Sequence, residues 1–401
     1  MNAHRLLVLL SGTIAVAVFG CGARPQQGQP RVRPGIEVLL DDSAHLIAGR
    51  RIGLITNQAG VDSRGTSSIN RLHRFRSASL VALFAPEHGI RGAAAPGELV
   101  SDTLDAETGL PIYSLYGANR APTREQLERL DALLIDLQDV GARPYTYITT
   151  AILSMRAAAE AGRRVILLDR PNPIGCTVQG PVLDPTYASS IGMLPVPLRH
   201  GMTLGELARL ANAQLAIGAD LVVVPVSGWR CEWFDQTGLP WVRPSPNLPD
   251  LEAVAWYPGT VLFEATNLSV GRGTDAPFRQ IGAPWLTPPA LHLPGGEWRR
   301  AWEPITFTPR NPGDGKFSGV ECQGLRFPRF DRARTDPIVE ALRIMALIAG
   351  SQPDSFRVDR RGLALRLGIA WDPADAPPAD GWAADRERFR TRAAPYLLYP
   401  R

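Results

Sequence analysis

Continuous apolar runs alternate with amphipathic helical patterns along residues 51–227, and this alternation limits the possible folds more than any other feature. Strands that are apolar without interruption are buried on both faces, which is typical of a parallel sheet covered by helices. The sequence therefore predicts a Rossmann-like α/β domain over residues 36–244. The predicted strands are Arg51–Gln58, Ser79–Ala85, Ala132–Gly141, Arg164–Pro173 and Leu221–Ser227, and the predicted helices are Thr66–Phe75, Thr123–Leu130, Thr149–Gly162 and Thr203–Gly218.

Local signals mark the ends of several of these helices. Two helices begin with the spacing of a capping box, and two are followed by a glycine that can adopt the left-handed conformation of a helix end. The capping boxes are Thr123 with Gln126 and Thr203 with Glu206, and the terminal glycines are Gly162 and Gly218.

The composition changes after residue 227. All nine tryptophans lie between Trp229 and Trp382, proline becomes frequent, and the alternation weakens. Residues 336–350 have the pattern of a long helix, and residues 260–266 (TVLFEAT) have that of a strand carrying Glu264. These features predict a smaller α+β domain over residues 245–401.

The first 21 residues have the three-part form of a secretory signal. Arg5 precedes an apolar stretch over residues 6–19 that is too short to cross a bilayer comfortably, and Gly20 and Cys21 close it. Residues 18–21 (VFGC) resemble a bacterial lipobox, which predicts lipidation of Cys21 and a lipid anchor in a membrane; a plain cleaved signal is the alternative. We expect residues 22–35 to form a flexible tether, and the protein to be exported to the periplasm or cell surface.

The charge distribution argues against nucleic acid as a partner. The net charge is +4, Lys316 is the single lysine, and the arginines are scattered among acidic residues without a basic run.

The remaining cysteines are Cys176, Cys231 and Cys322. Their wide spacing fits neither a disulfide framework nor a CxxC metal site. One pair could form a disulfide in an oxidising compartment, and the sequence leaves the pair open.

Polar side chains follow four consecutive predicted strands. Because the carboxyl ends of parallel strands meet at one edge of a sheet, where ligands bind, we expect these side chains to form a site. They are Thr56–Gln58, then Glu87 and His88, then Asp136, Gln138 and Asp139, and then Asp169–Asn172.

The motifs of several chemistries are absent from the sequence. It has no G-x-G-x-x-G, no P-loop and no G-x-S-x-G before a helix, so no nucleotide cofactor and no serine hydrolase is predicted. The spacings H-x-x-x-H and CxxC are also absent, so no metal is predicted. A carboxyl group at Glu87, between Pro86 and apolar Ile90, is suited to proton transfer, and we expect an acid/base site centred on it.

Residues 256–285 have the composition of a sugar-binding surface. Tryptophan and tyrosine faces can stack on a sugar ring while asparagine, aspartate and arginine read its hydroxyl groups. Arg272, between Gly271 and Gly273, is predicted to expose its guanidinium in a flexible turn that suits an anionic ligand group. A structural salt bridge is the alternative.

Seven stretches together resemble the NamZ/YbbC-type exo-β-N-acetylmuramidases over about residues 35–400. They are GIEVLLDD, IGLITNQAGVD, LFAPEHGIRG, DLQDVGARPYTYITT, LLDRPNPIG, PLRHGMTLGELA and FEATNLSVGRGTDAPFRQIGAPW. The resemblance implies a Rossmann-like domain, a smaller C-terminal domain and a cleft between them. The implied reaction is hydrolytic release of N-acetylmuramic acid from the non-reducing end of peptidoglycan fragments such as muramyl disaccharides, with no metal and no nucleotide cofactor.

The resemblance also implies roles for particular residues. Glu87, in the P-E-H-G motif, is the implied catalytic acid, and His88 orients or polarises it. Asp139 and Glu264 are the implied candidates for a second carboxylate that acts as base, nucleophile or stabiliser. The lactyl carboxylate of N-acetylmuramic acid implies an arginine in the cleft, with Arg272 and Arg143 ranked ahead of Arg91. The implied readers of hydroxyl and acetamido groups are Asn57, Gln58, Tyr145, Tyr147, Asn267 and Thr274.

Two other functions remain open from the sequence. One is a non-catalytic lipoprotein that binds muropeptides in the same cleft. The other is a hydrolase of another muropeptide bond, such as an amide or acetyl group. Glu87→Gln separates a binder, which keeps its affinity, from an enzyme, which loses turnover.

Overall fold

The predicted alternation of strands and helices is present in the structure, a computed structural model that describes residues 32–87, 89–90, 103–117, 119–287, 302–375 and 381–401. The strands in these ranges are β1 (Arg51–Thr56), β2 (Ser79–Ala85), β3 (Thr103–Leu104), β4 (Pro111–Ser114), β5 (Ala132–Asp136), β6 (Arg164–Leu168), β7 (Gln179–Val182), β8 (Pro197–Arg199), β9 (Leu221–Val224), β10 (Gln280–Ala283), β11 (Glu303–Phe307) and β12 (Cys322–Arg326). The α-helices are α1 (Gly35–Asp42), α2 (Ser68–His73), α3 (Arg124–Glu128), α4 (Tyr147–Glu160), α5 (Leu204–Gln214), α6 (Leu251–Thr260), α7 (Pro337–Ser351), α8 (Arg360–Leu367) and α9 (Ala383–Ala393).

A seven-stranded sheet in the order β3-β4-β2-β1-β5-β6-β9 forms the centre of the amino-terminal part. Its pairs are parallel except β3 with β4, which is antiparallel. In β1, Leu54 lies opposite Leu83 of β2 on one side and Leu134 of β5 on the other. The order of the strands therefore reverses at β1, and in such sheets ligands bind beyond the carboxyl ends near that point. The predicted Rossmann-like class is confirmed.

Helices cover both faces of this sheet, as the uninterrupted apolar strands require. Successive residues of β5 point to opposite faces, so Leu134 joins the cluster under α1 and α2 while Leu133 and Ile135 join the cluster under α3, α4 and α5. The second cluster continues into the carboxy-terminal part, where it includes Trp256. One hydrophobic cluster thus runs from this face of the sheet, through the helices that cover it, into the carboxy-terminal part.

The carboxy-terminal part combines the three-stranded antiparallel sheet β10-β12-β11 with α6–α9. The predicted strand over residues 260–266 is wrong: the helix α6 ends at Thr260, and a 3₁₀ helix, Val261–Ala265, carries Glu264. Tertiary packing overrides the strand propensity here, because a Cβ at Gly259 would lie 1.8 Å from the backbone oxygen of Pro337 in α7. The close crossing of α6 and α7 fixes this segment as helix.

The helix ends agree with the sequence signals at three of four places. Both capping boxes are formed, and Gly162 follows α4 with a φ of 63°. Helix α5 instead ends at Gln214, before the predicted stop at Gly218. The side chain of Asn212 accepts from the backbone N–H of Ala219 and donates to its carbonyl, both at 3.0 Å, so this side chain closes the turn.

One disulfide joins Cys176 to Cys231, whose Cα atoms are 5.3 Å apart, and Cys322 is free and buried. This settles the pairing that the sequence left open. Near the disulfide, the hydroxyl of Tyr399 donates to Asp169 at the end of β6, at 2.6 Å, and accepts from the backbone N–H of Val226 at 2.9 Å.

Several predictions concern residues outside the described ranges. The signal peptide, Cys21 and the tether up to residue 31 lie there, as do His88 and Arg91. Among the helices that are described, none is both long enough and apolar enough to span a bilayer. Residues 31–401 form one compact unit, and the predicted boundary between residues 244 and 245 stays a prediction.

Candidate active site

Glu87 lies in the turn that follows β2, with its carboxylate partly buried against two other elements. The hydroxyl of Thr146, at the start of α4, donates to Glu87 Oε2 at 3.3 Å. Tyr116, just beyond β4, has its pKa raised by burial and by the Glu87 carboxylate, with which it shares a hydrogen bond. The first acid of the predicted site is therefore held by hydroxyl groups at the carboxyl edge of the sheet.

Glu264 is held from the carboxy-terminal part by two arginines. Arg272 approaches Glu264 Oε1 through Nε at 3.1 Å and through a terminal nitrogen at 2.5 Å, and a terminal nitrogen of Arg366 lies 3.5 Å from Oε2. Burial lowers the pKa of Arg272, but the neighbouring carboxylate outweighs it and the net shift is upward. The Glu264 and Arg272 side chains are each 18% exposed, so the guanidinium is not in the exposed turn that the sequence predicted.

Tyr257 lies within electrostatic range of both acids. Its ring packs edge-on against Tyr145, with centroids 6.2 Å apart, and against Phe278, with centroids 4.8 Å apart. Burial raises the pKa of its hydroxyl first, and then Glu264 and, more weakly, Glu87 raise it further. The carboxylates of Glu87 and Glu264, from the two parts of the chain, therefore both raise the pKa of the same phenol, Glu264 more strongly than Glu87.

Hydrogen bonds to the backbone carbonyls of residues 243 and 244 hold the side chains of Asn57, Gln58 and Tyr147. The Asn57 amide donates to the Tyr147 hydroxyl at 2.5 Å, and that hydroxyl donates to the carbonyl of Pro244 at 2.9 Å. The Gln58 amide donates to the carbonyl of Arg243 at 2.9 Å. Through these hydrogen bonds, the residues predicted to bind sugar hydroxyl and acetamido groups connect the end of β1 and the start of α4 to the segment that precedes α6.

Asp139 is 3% exposed, and its carboxylate contributes weakly to the raised pKa of Tyr145. Its Oδ2 accepts from the backbone N–H of Gly141 at 2.7 Å and lies 3.3 Å from Nε2 of His200. His200 Nδ1 accepts from the backbone N–H of Met202, so the hydrogen of the neutral imidazole is assigned to Nε2, the nitrogen that faces the carboxylate. No described contact joins Asp139 directly to Glu87 or Glu264.

Arg143 is an internal brace. It is 1% exposed, and its terminal nitrogens donate to the carbonyls of Pro181, Val196 and Arg366 at 2.7–3.1 Å. Burial lowers the pKa of Arg143 to about 9. The sequence prediction that Arg143 meets a substrate carboxylate is replaced by this arrangement, in which it fixes the backbone that carries Arg366.

Asn267 and Thr274 also hold backbone. The Asn267 amide pairs with the carbonyl of Ser355 at 2.8 Å and the N–H of Arg357 at 2.9 Å. The Thr274 hydroxyl donates to the carbonyl of Gly271 at 2.6 Å and so stabilises the turn around Arg272. Both side chains therefore stabilise backbone close to Glu264 and Arg272 in the sequence.

Sequence reasoning missed several polar members of the site, among them Tyr116, Thr146, Tyr257 and Arg366. Tyr257 lies in an apolar helix and Arg366 in an arginine-rich one, and neither position has a motif that marks it. In the ranges that the structure describes, His, Cys, Asp and Glu form no group of three or more that could hold a metal ion.

The chain is similar to known proteins along most of its length. The N-terminal family description "Exo-beta-N-acetylmuramidase NamZ, N-terminal" matches residues 52–252, and its C-terminal counterpart matches residues 255–399. The peptidoglycan beta-N-acetylmuramidase NamZ of Bacillus subtilis (strain 168) is 44% identical over 375 residues, which are 91% of this chain and 89% of that protein.

Two solved structures have the same fold. Both are DUF1343 family proteins of Bacteroides fragilis NCTC 9343, BF0371 with a TM-score of 0.81 and BF0379 with a TM-score of 0.74. Each is 32% identical to this chain and covers 92% of it, and 99% of each of those chains is matched.

Proposed function

Because this chain belongs to the NamZ exo-β-N-acetylmuramidase family and is a glycoside hydrolase, we propose that it releases N-acetylmuramic acid from the non-reducing end of peptidoglycan fragments. Muramyl disaccharides are the simplest such substrates. The observation that carries the proposal is the position of Tyr257, whose hydroxyl interacts with both Glu87 and Glu264. Glycosidases in general work with two carboxyl groups that flank the scissile bond.

Glu87 is the general acid of the proposed mechanism. Its carboxyl group donates a proton to the oxygen of the departing sugar as the glycosidic bond breaks. The hydrogen bonds with Thr146 and Tyr116 hold the carboxyl group in one orientation before substrate arrives. Fixed orientation supports transfer because the proton must reach one oxygen atom along one direction.

Glu264 is the second carboxylate. Glu264 and Glu87 both raise the pKa of Tyr257, and the Glu264 side chain is 18% exposed whereas Asp139 is 3% exposed, which favours Glu264 for a role at the reacting carbon. An oxocarbenium-like transition state carries positive charge, which a carboxylate stabilises, and the same group can orient a water or attack the carbon. The guanidinium groups of Arg272 and Arg366 keep this carboxylate in place.

The two arginines also supply the binding group for the substrate's acidic side chain. Two guanidinium groups and one carboxylate leave a net positive charge beside Glu264. The lactyl carboxylate of N-acetylmuramic acid is the anionic group that distinguishes this sugar from N-acetylglucosamine, and guanidinium groups bind carboxylates with directed hydrogen bonds. Arg272 and Arg366 replace Arg143 in the proposed binding set.

We further propose that the protein acts outside the cytoplasm, held to a membrane by a lipid on Cys21. The signal-like first 21 residues support export. The Cys176–Cys231 disulfide supports it independently, because disulfides persist in oxidising compartments and are rare in reducing ones.

The test is hydrolysis of a chromogenic β-N-acetylmuramide by the purified protein and by Glu87→Gln. We expect the variant to lose about 1,000-fold in kcat, the size of a general-acid contribution, and to keep its affinity for substrate. Glu160→Gln, an exposed position at the end of α4, is the control and should match the wild type.

The alternatives predict other outcomes. Binding of muramyl disaccharide without release of sugar by the wild type would establish a binding protein and contradict the proposal. An intact disaccharide with altered acyl or peptide groups would establish a hydrolase of another bond.

A further inference from the structure

The single lysine of the chain, Lys316, lies at the proposed site, although no motif marks it. Its ammonium group donates to the backbone carbonyls of Glu264, Thr266 and Leu268 at 3.1, 2.7 and 3.1 Å. An ammonium group has three N–H donors, so this contact uses all of them. The side chain is partly buried, and all three acceptors belong to the segment that carries Glu264.

The carbonyl of Glu264 belongs to the last turn of the 3₁₀ helix Val261–Ala265, and those of Thr266 and Leu268 belong to the segment that follows it. The last carbonyls of a helix have no partner within it and need one from outside. Thr266 leaves the helix with extended backbone, at φ −123° and ψ 173°. The ammonium group therefore satisfies the helix end and sets the direction in which the chain continues towards the turn with Arg272.

The loop that carries Lys316 is itself attached to that turn. The backbone N–H of Arg310 donates to the carbonyl of Gly273 at 2.8 Å, and Asp314 accepts from the backbone N–H of Lys316 at 3.1 Å. Both members of the Glu264–Arg272 pair are thus on a segment that one loop holds at two places.

We propose that Lys316 is a positioning residue that fixes the Glu264–Arg272 pair in its working geometry through the three backbone carbonyls. The inference rests on the proposed function of that pair. The substrate need not touch Lys316, because the ammonium group acts through the backbone of residues 264–268.

Burial and the charged groups around Lys316 set the pH at which its ammonium group loses a proton and its contact with the three carbonyls weakens. Burial lowers the pKa of its ammonium group; Asp314 and Glu264 raise it, while Arg366 and Arg272 lower it, and the net shift is downward. Deprotonation removes one of the three donors, so the contact weakens as the pH rises towards this lowered pKa. Burial and the Glu264 carboxylate raise the pKa of the Tyr257 phenol well above its ordinary value, so this phenol keeps its proton while Lys316 titrates.

The experiment compares the full-length wild type with Lys316→Met and Lys316→Arg in three measurements. With the chromogenic β-N-acetylmuramide, we expect Lys316→Met to lose about 100-fold in kcat with little change in KM, as a misplaced catalytic group does. Lys316→Arg keeps the charge, so it should recover part of this activity and should lack the alkaline fall of kcat/KM that deprotonation of Lys316 causes in the wild type.

Amide hydrogen exchange provides the measurement that does not depend on turnover. We expect residues 260–270 to exchange faster in Lys316→Met while the rest of the chain, and its far-UV circular dichroism, stay as in the wild type. If the wild type proves inactive but this local change occurs, the proposed function fails and the positioning contact stands. Unchanged exchange over residues 260–270, or equal alkaline profiles in the wild type and Lys316→Arg, would overturn the inference.

Discussion

The Cys176–Cys231 disulfide should contribute much of the stability of the oxidised protein. The two cysteines are separated by 55 positions, and closing a loop of that length lowers the entropy of the unfolded chain by an amount worth about 4 kcal/mol at 25 °C. We therefore expect the Cys176→Ser/Cys231→Ser variant to unfold in urea with a free energy lower by up to about 4 kcal/mol. Catalytic constants at 25 °C should change little, because neither cysteine contacts the Glu87 or Glu264 groups described above.

The assay is equilibrium unfolding in urea, followed by circular dichroism, with and without a reductant. Reductant should destabilise the wild type and leave the double variant unaffected. Among the described cysteines, the free thiol of Cys322 does not complicate this comparison, because it is buried and burial raises its pKa to about 11. A loss below about 1 kcal/mol in the double variant, or an equal response of both proteins to reductant, would refute the loop-closure reasoning.

Two further predictions concern charged groups. Arg366→Met removes a donor for the lactyl carboxylate, so we expect kcat/KM to fall about 10- to 100-fold on a β-N-acetylmuramide. The loss on a β-N-acetylglucosaminide, measured side by side, should be much smaller. Equal losses on both substrates would contradict the assigned role of Arg366. Burial raises the pKa of Asp169 from 3.8 to about 6 in the folded protein. Because the folded state holds this proton more tightly than the unfolded state, the shift adds about 3 kcal/mol to the free energy of unfolding below about pH 4, and this contribution is lost as the pH rises through 6. Asp169→Asn should remove that part of the pH dependence in urea titrations from pH 4 to 7, and parallel curves for both proteins would contradict it.

The framework of the sheet could be predicted because each of its main strands is buried on both faces. Such burial requires an uninterrupted apolar run, and β2 and β5 have one that the sequence shows directly. The short edge strand β3 and its neighbour β4 were missed, since their side chains are mostly exposed or half-buried and have no such requirement. Short strands of this kind form because they pair with a neighbouring strand, and the sequence alone does not show which strand that is.

The candidate site was predictable at Glu87 and only partly so elsewhere. A strand followed by a proline and a carboxylate predicts a polar group at the carboxyl edge of the sheet. In the structure, this carboxylate accepts a hydrogen bond from the hydroxyl of Thr146. The role of Arg143 was not readable, because its guanidinium is bound to distant carbonyls; for Arg272, the salt bridge that the sequence left as the alternative is present, and its partner Glu264 could not be read from the sequence. The segment carrying Glu264 reads as a strand locally and is a helix because α7 crosses it.

The bond between Tyr399 and Asp169 has a consequence for the order of events during synthesis. The two residues are 230 positions apart, so the carboxylate at the end of β6 acquires this partner only after nearly the whole chain has left the ribosome. Until then the strands of the central sheet can assemble around an acid that still lacks one of its stabilising groups.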